Sequence, residues 1–236
     1  MKSSIFDAAT SISQSSSLTN LTNVFQERIE EFGFGSFAYL NTRYNVDKSK
    51  DLPVLATYSD QWLDEYLQQG YISKDPVIKF SPSALVPFKW HDITHPSDTV
   101  MQAANQYNHG HGLTIPIHGP FGELAIVSAS GSTSSSEVDK LVYDCLPDIQ
   151  FLAFYLHQRA KALANENKDI KIHLSPRENE VLAWTAQGKS SWEIGQILGL
   201  AERTINQYIH SCFRKLEVHN KHHCVAKALI NGLITL

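Results

Sequence analysis

The stretch Leu174 to Leu229, LSPRENEVLAWTAQGKSSWEIGQILGLAERTINQYIHSCFRKLEVHNKHHCVAKAL, is punctuated as four short helices. Ser175-Pro176-Arg177-Glu178 is a capping box with proline at the first helical position: the serine oxygen and the glutamate carboxylate each satisfy a backbone amide left open by the first turn. Val181, Leu182 and Thr185 form the inner face of that helix, and Gly188 ends it. Ser190 to Glu193 repeats the box, with Ile194, Ile197 and Leu198 facing inward and Gly199 as the stop. A third helix is predicted from about Glu202 to Leu216, with Ile205, Ile209, Cys212 and Leu216 on one face. A fourth starts near Asn220 and carries Val225, Ala228 and Leu229. Short helices joined around a glycine predict a helix-turn-helix.

In such a motif the second helix of the pair lies in the major groove of DNA. Once the inner stripe of the third helix is set, its outer face is Asn206, Gln207, His210 and Arg214, all able to hydrogen-bond base edges or phosphates. Lys189, Ser190, Ser191, Thr204 and Lys215 flank that face and suit phosphate contacts. A polar outer face on an arbitrary amphipathic helix is merely solvated. The two capping boxes, the glycine turn and the local charge point here to DNA instead.

The whole chain of 236 residues has a formal net charge of −4, which taken alone argues against a nucleic-acid partner. The charge is uneven. From Lys171 onward eight basic residues face five acidic ones, about +3, and the remainder is about −7. A basic helical module attached to an acidic one is the asymmetry of a DNA-binding unit joined to something else. Residues 161–172, KALANENKDIKI, are polar and charged, which divides the chain into an N-terminal domain (1–162), a linker (163–172) and a DNA-binding domain (173–236).

The first domain mixes helices and strands. Leu18, Leu21, Phe25, Ile29 and Phe32 lie on one face of a helix that stops at Gly33. Strands are predicted at Ser36–Tyr44, Leu52–Ser59, Leu85–His91, Leu113–His118 and Glu123–Ser130, with helices near Asp60–Gln69 and Asp98–Tyr107 and from about Glu137 to Leu163. Two strands come first with no helix between them, and a short turn separates the last two. That order predicts an α+β chain: an α/β/α sandwich around a five-stranded antiparallel sheet, followed by an all-α four-helix domain. A sheet covered by helices on both faces can hold a small molecule between its layers.

The sequence also excludes classes of function. The longest purely apolar run, Phe151 to Leu156, is far too short to cross a bilayer, and no basic-then-apolar leader is visible. Cys145, Cys212 and Cys224 form no CxxC pair and leave an odd thiol, as expected of a reduced cytoplasmic protein. No GxSxG, HExxH, P-loop or GxGxxG motif supports catalysis, and no acidic cluster after the first strand suggests a phosphorylated receiver domain. His219, His222, His223 and Cys224 have the composition of a metal site, but neighbouring positions diverge on a helix, so no metal is expected.

Residues 174–229 resemble the LuxR-type DNA-binding domain throughout, in the Arg-Glu-x-Glu-Val-Leu opening, the Gly-Lys-Ser turn, the Glu-Ile pair and the terminal Lys-Leu. Upstream, Tyr58, Trp62, Tyr66, Asp75-Pro76, Trp90 and Gly112 resemble the signature of the autoinducer-binding domain of quorum-sensing receptors. The resemblance implies an N-acyl-homoserine lactone as ligand, no further cofactor and no catalytic residue. It also implies a homodimer on a two-fold promoter site, with RNA polymerase as a further partner. The ligand chemistry fits. Trp62 can donate to the lactone carbonyl, Tyr58 to the amide carbonyl, and Asp75 can accept from the amide N–H. Ser128 matches a position that adds a hydroxyl near the amide. Tyr66 and Trp90 match the aromatic walls, and Leu40, Val77, Ile78, Ala104, Thr114 and Ile126 the acyl pocket. The other reading of the same family is a regulator that needs no ligand or answers to a different small molecule.

Three positions depart from the pattern. Asn108 stands where the family has glycine, and the neighbouring apolar pocket position is His109. A His109 turned into the pocket implies an oxygen-bearing ligand; turned outward, it implies nothing. Ala201 replaces the serine cap of the recognition helix, a loss of ~1 kcal/mol to that helix, and Tyr208 replaces a histidine.

Overall fold

The computed structural model describes residues 4–41, 54–131, 134–166 and 173–235. The chain divides into two compact units, one of residues 1–119 with 123–167, the other of 168–236 with 120–122.

The first unit is built on a five-stranded antiparallel sheet of order β2-β1-β5-β4-β3. The strands are β1 (Ser36–Asn41), β2 (Val54–Ala56), β3 (Phe88–Lys89), β4 (Gly112–His118) and β5 (Leu124–Ser130). Side chains alternate across the sheet. Phe37 and Tyr39 of β1, Leu113, Ile115 and Ile117 of β4, and Ala125, Val127 and Ala129 of β5 point one way. There they share a core with α1 (Ile5–Ser13), α2 (Leu18–Glu31) and α6 (Ser135–Glu166) through Ile12, Phe25, Ile29, Ile149, Leu152 and Leu156. Each of these large side chains is fully buried, worth roughly 1.5–3 kcal/mol apiece. A buried polar group sits at the same layer, where the Lys161 ammonium lies 2.7 Å from Glu123 and the Tyr39 hydroxyl 3.0 Å from His157 Nδ1. The opposite face carries Ser36, Ala38, Leu40, Thr114, Ile126, Ser128 and Ser130. A second, aromatic-rich cluster packs on that side, from α3 (Asp60–Gln68), α4 (Pro76–Phe80), α5 (Thr99–Gln106) and Trp90.

Several expectations are corrected. The predicted strand Leu85–His91 shrinks to Phe88–Lys89: Leu85 and Val86 are 82% and 69% exposed, Pro87 has no N–H for a ladder, and Trp90–Asp92 turns into a 3₁₀ helix. Residues 163–166, assigned to the linker, continue α6, because Leu156, Ala160 and Leu163 keep the buried stripe going. The first helix α1 has its own capping box, Ser4 with Asp7, and buries Ala8, Ala9 and Ile12. Parts of the two first predicted strands (residues 42–44 and 52–53) and the rest of the linker, 167–172, lie outside the described residues.

The second unit is all helical: α7 (Pro176–Ala186), α8 (Ser191–Leu198), α9 (Glu202–Leu216) and α10 (Lys221–Ile230). Both predicted capping boxes form, Ser175 with Glu178 and Ser190 with Glu193, while Ala201 leaves α9 without a side-chain cap. Ile205, Ile209, Cys212 and Leu216 are buried as the spacing predicts. Ile197 is not: it is 45% exposed, because the inward stripe of α8 runs through Ser191, Ile194 and Gly195. Gly199 ends α8 at φ +66. Gly195 packs so closely under the turn that a Cβ there would lie 2.6 Å from the Leu200 carbonyl oxygen.

Candidate functional site

Two surfaces collect the residues singled out by the sequence, one in each unit.

In the first unit, α3 places Trp62 and Tyr66 one helical turn apart on one face, their rings 5.5 Å apart and edge-on. Asp75 is at once the N-cap of α4, accepting from the Val77 amide at 2.8 Å, and the acceptor of the Tyr66 hydroxyl at 2.8 Å. Burial pushes the Asp75 carboxyl above the usual carboxylate range, against the pull of Tyr66 and of the Val77 and Ile78 amides. Burial, reinforced by the charge of Asp75, likewise raises the Tyr66 phenol. On the sheet side, the Trp90 indole N–H donates to Thr114 Oγ1 at 2.8 Å, and Thr114 meets Ser128 Oγ at 2.7 Å across the β4–β5 pair. The two tryptophans therefore differ. Trp90 has spent its donor on the sheet, whereas Trp62, 3% exposed, has an indole N–H that meets no acceptor among the described residues.

The remaining predicted pocket positions fall around these groups. Val77, Ala104 and Ile126 are buried, Leu40 and Ile78 half-buried, and Leu40 faces Ile126 across the β1–β5 pair. Tyr58, just before the Ser59 cap of α3, lies with its ring 4.4 Å from that of His109. His109 is buried rather than turned outward, and Asn108 takes the positive φ of +59 that a glycine would adopt freely. Sequence reasoning missed Ser36, Ser130, Glu65, Tyr71 and Tyr107. Tyr107 donates to Glu65 at 2.8 Å, and its ring lies 5.5 Å from that of Trp62, tilted by 36°. The period-2 pattern of β5 through Ser128 could have supplied Ser130; the others need the tertiary fold.

In the second unit, the exposed side chains of α9 follow the stripe Arg203, Gln207, His210 and Arg214. Arg203 was not among the predicted residues, although it is one turn from Gln207. Asn206, predicted as a base reader, is half-buried and accepts from Ser191 Oγ at 2.7 Å, tying α9 to α8. Ser191 is itself buried and also accepts from Lys221 Nζ at 3.2 Å. Lys189 and Ser190 are exposed and Thr204 is half-buried. Lys215 donates to Glu178 at 2.6 Å and to the His173 carbonyl at 3.0 Å. Burial alone would raise Glu178, but Lys215, the Ser175 amide and Ser211 hold it down at about 2. Among the described residues, no group of three or more His, Cys, Asp or Glu is placed to hold a metal, and no helix is long and apolar enough to cross a membrane.

Comparison with known proteins matches both units. Residues 17–160 match the autoinducer binding domain family, and residues 173–228 the luxR family of bacterial regulatory proteins. The chain is similar to the quorum sensing-dependent transcriptional regulator RpaR of Rhodopseudomonas palustris, 30% identical over 92% of this chain and 89% of that protein. Among solved structures it is similar to Escherichia coli SdiA, with a TM-score of 0.82, 21% identity and 98% of each chain covered. SdiA in complex with octanoyl-rac-glycerol also matches (TM-score 0.76, 20% identity, 99% and 98% covered). So does the N-acylhomoserine lactone dependent factor CepR2 of Burkholderia cenocepacia (TM-score 0.59, 17% identity, 68% and 96% covered).

Proposed function

The chain belongs to the LuxR-type family of quorum-sensing transcription regulators, and on that premise we propose that its first unit binds an N-acyl-homoserine lactone and its second unit reads a two-fold promoter site. The observation that carries the ligand reading is the contrast at Trp62 and Trp90. The indole N–H of the buried Trp62 side chain meets no acceptor among the described residues, and across Tyr66 a carboxylate can still accept, which is the polar pattern a lactone carbonyl and its amide N–H would complete. Trp62 donates to the lactone carbonyl, Tyr58 to the amide carbonyl, and Asp75 accepts from the amide. Ser128 lies beside it, Tyr66 and Trp90 form walls, and Leu40, Val77, Ile78, Ala104, Thr114 and Ile126 line the rest. The protein acts by binding, without turnover, in the cytoplasm where its DNA lies.

The reading surface is Arg203, Gln207, His210 and Arg214, with Lys189, Ser190 and Thr204 toward the phosphates and Asn206, Ser191 and Lys215 bracing it. A single α9 reads few base pairs, so a homodimer doubles the site. Tyr143 and Phe154 on α6, 88% and 47% exposed, support a dimer through the first unit, and RNA polymerase is the further partner. Mass spectrometry of the small molecule extracted from purified protein tests the ligand: an acyl-homoserine lactone is expected, and no co-purifying ligand together with lactone-insensitive stability would refute it.

One observation favours the second reading. Tyr66 and Asp75 satisfy each other, as do Trp90, Thr114 and Ser128, so much of the pocket's polar chemistry is complete without a lactone. A regulator of a different ligand, such as the acylglycerol in the SdiA complex, or of none, is the alternative. The same extraction experiment separates the two.

A further inference from the structure

On the pocket face of the sheet, the cross-strand pair Ser36–Ser130 stands one repeat along from Ala38–Ser128. The strand repeat puts Ser130 roughly 7 Å from Ser128. The pair toward the other end, Leu40–Ile126, is apolar, so this face grades from aliphatic to hydroxyl along β1 and β5. His109 closes the hydroxyl end. Its Nδ1 lies 3.2 Å from Ser36 Oγ and 3.3 Å from Ser130 Oγ, and the two serine oxygens are 3.2 Å apart. The Tyr58 ring lies 4.4 Å from the imidazole, tilted by 41°, and its hydroxyl interacts with Ser130. Nε2 of His109 makes no hydrogen bond among the described residues, so in either tautomer the ring retains one unused donor or acceptor. Burial lowers the pKa of His109, and the group contains no cation, so neither a carboxylate nor a phosphate would find a counter-charge.

Resting on the ligand reading above, in which Tyr58 holds the acyl carbonyl, we infer that His109, Ser36 and Ser130 form a polar subsite beside Tyr58. It receives an uncharged oxygen, hydroxyl or carbonyl, on an acyl carbon close to the ligand's amide. These three residues set specificity by recognising an oxygenated acyl chain over a plain one.

The test measures affinity of the full-length protein for N-acyl-, N-(3-hydroxyacyl)- and N-(3-oxoacyl)-homoserine lactones of matched chain length. Wild type is expected to prefer one oxygenated series by about tenfold. His109→Leu should bring the ratio to about one, Ser36→Ala with Ser130→Ala should reduce it, and His109→Gln, which keeps a hydrogen-bonding group, should retain a preference of the same sign. Thermal melts of the unliganded variants establish folding, and if His109→Leu does not fold the double serine variant carries the test. Equal binding of plain and oxygenated lactones by wild type, or a preference surviving both substitutions, overturns the subsite while leaving the ligand reading standing. Failure of wild type to bind any lactone overturns both.

Discussion

The Tyr66 hydroxyl donates to Asp75 Oδ2 at 2.8 Å, joining the last turn of α3 to the residue that caps α4. The same carboxylate is thereby a structural acceptor and the proposed acceptor of the ligand amide. Its raised pKa means that the unliganded protein carries the cost of a buried charge.

Asp75→Asn should separate those roles. The amide can still accept from Val77 and meet Tyr66, so the unliganded variant should melt at the wild-type temperature or above it. The sign follows from the raised pKa: the carboxyl's contribution is favourable below its unfolded pKa and is lost as pH rises through the higher folded one, so the gain from Asn should be larger at pH 7 than at pH 4. Stabilisation by added lactone should disappear. A variant that melts lower yet keeps a full lactone response would contradict both assignments.

The two tryptophans make a paired prediction. Trp62→Phe removes a donor with no acceptor among the described residues, so the unliganded protein should lose little stability while lactone affinity falls about ten- to a hundredfold. Trp90→Phe instead takes away the donor that Thr114 accepts, at a cost of about 1–3 kcal/mol with or without ligand. Calorimetric titration and thermal melts on both variants decide the matter; equal effects on both observables would remove the distinction between them.

The ease with which the two units could be read from the sequence differs for physical reasons. Caps and helical stripes are local, so Ser175 with Glu178, Ser190 with Glu193 and the buried face of α9 followed directly from spacing. The sheet is non-local. Nothing near Ser36 announces that it pairs with Ser130, or that His109, 73 residues away, would complete the group. Leu85 and Val86 look like strand residues and are exposed, because one proline and a two-rung ladder limit β3. At Asn206 the amide was legible but its partner was not: Ser191 reaches it only once α8 and α9 have packed.

Glu178 predicts acid sensitivity in the DNA-binding unit. Its carboxyl, held at about 2 by Lys215, Ser175 and Ser211, should contribute on the order of 2 kcal/mol at neutral pH. Because the folded pKa is depressed, that contribution is present above the unfolded value near 4.5 and is lost as pH falls from there toward about 2. Urea denaturation followed across this window should show wild type losing stability more steeply than Glu178→Gln. Parallel curves would show that the ion pair does not matter.

On α9 the exposed stripe and the bracing residues should behave differently. Gln207→Ala or His210→Ala should relax sequence preference, at about 1–3 kcal/mol for the site against random DNA. Lys189→Ala should weaken both alike and lower the salt slope by about 1. Asn206→Ala should instead destabilise the unit, leaving Ser191 without its acceptor. Binding isotherms on specific and scrambled duplexes at several salt concentrations separate the three; a uniform loss for all would refute the division.

Gly195→Ala offers the sharpest test of the helix-turn-helix geometry, because two rules give opposite signs. In an exposed helix interior the change stabilises by roughly 0.5–1 kcal/mol, since alanine restricts the unfolded chain. Here the added methyl would sit 2.6 Å from the Leu200 carbonyl oxygen, a backbone atom that cannot move aside without opening the turn between α8 and α9. The steric term should win, with a net loss of roughly 1–3 kcal/mol and weakened binding to every DNA sequence, since the turn sets the angle at which α9 is presented. Gln196→Ala, one residue on and exposed, should change stability by less than about 0.5 kcal/mol and serves as the control. If Gly195→Ala were instead as stable as wild type with DNA affinity intact, α8 and α9 could not be packed as closely as the 2.6 Å approach requires.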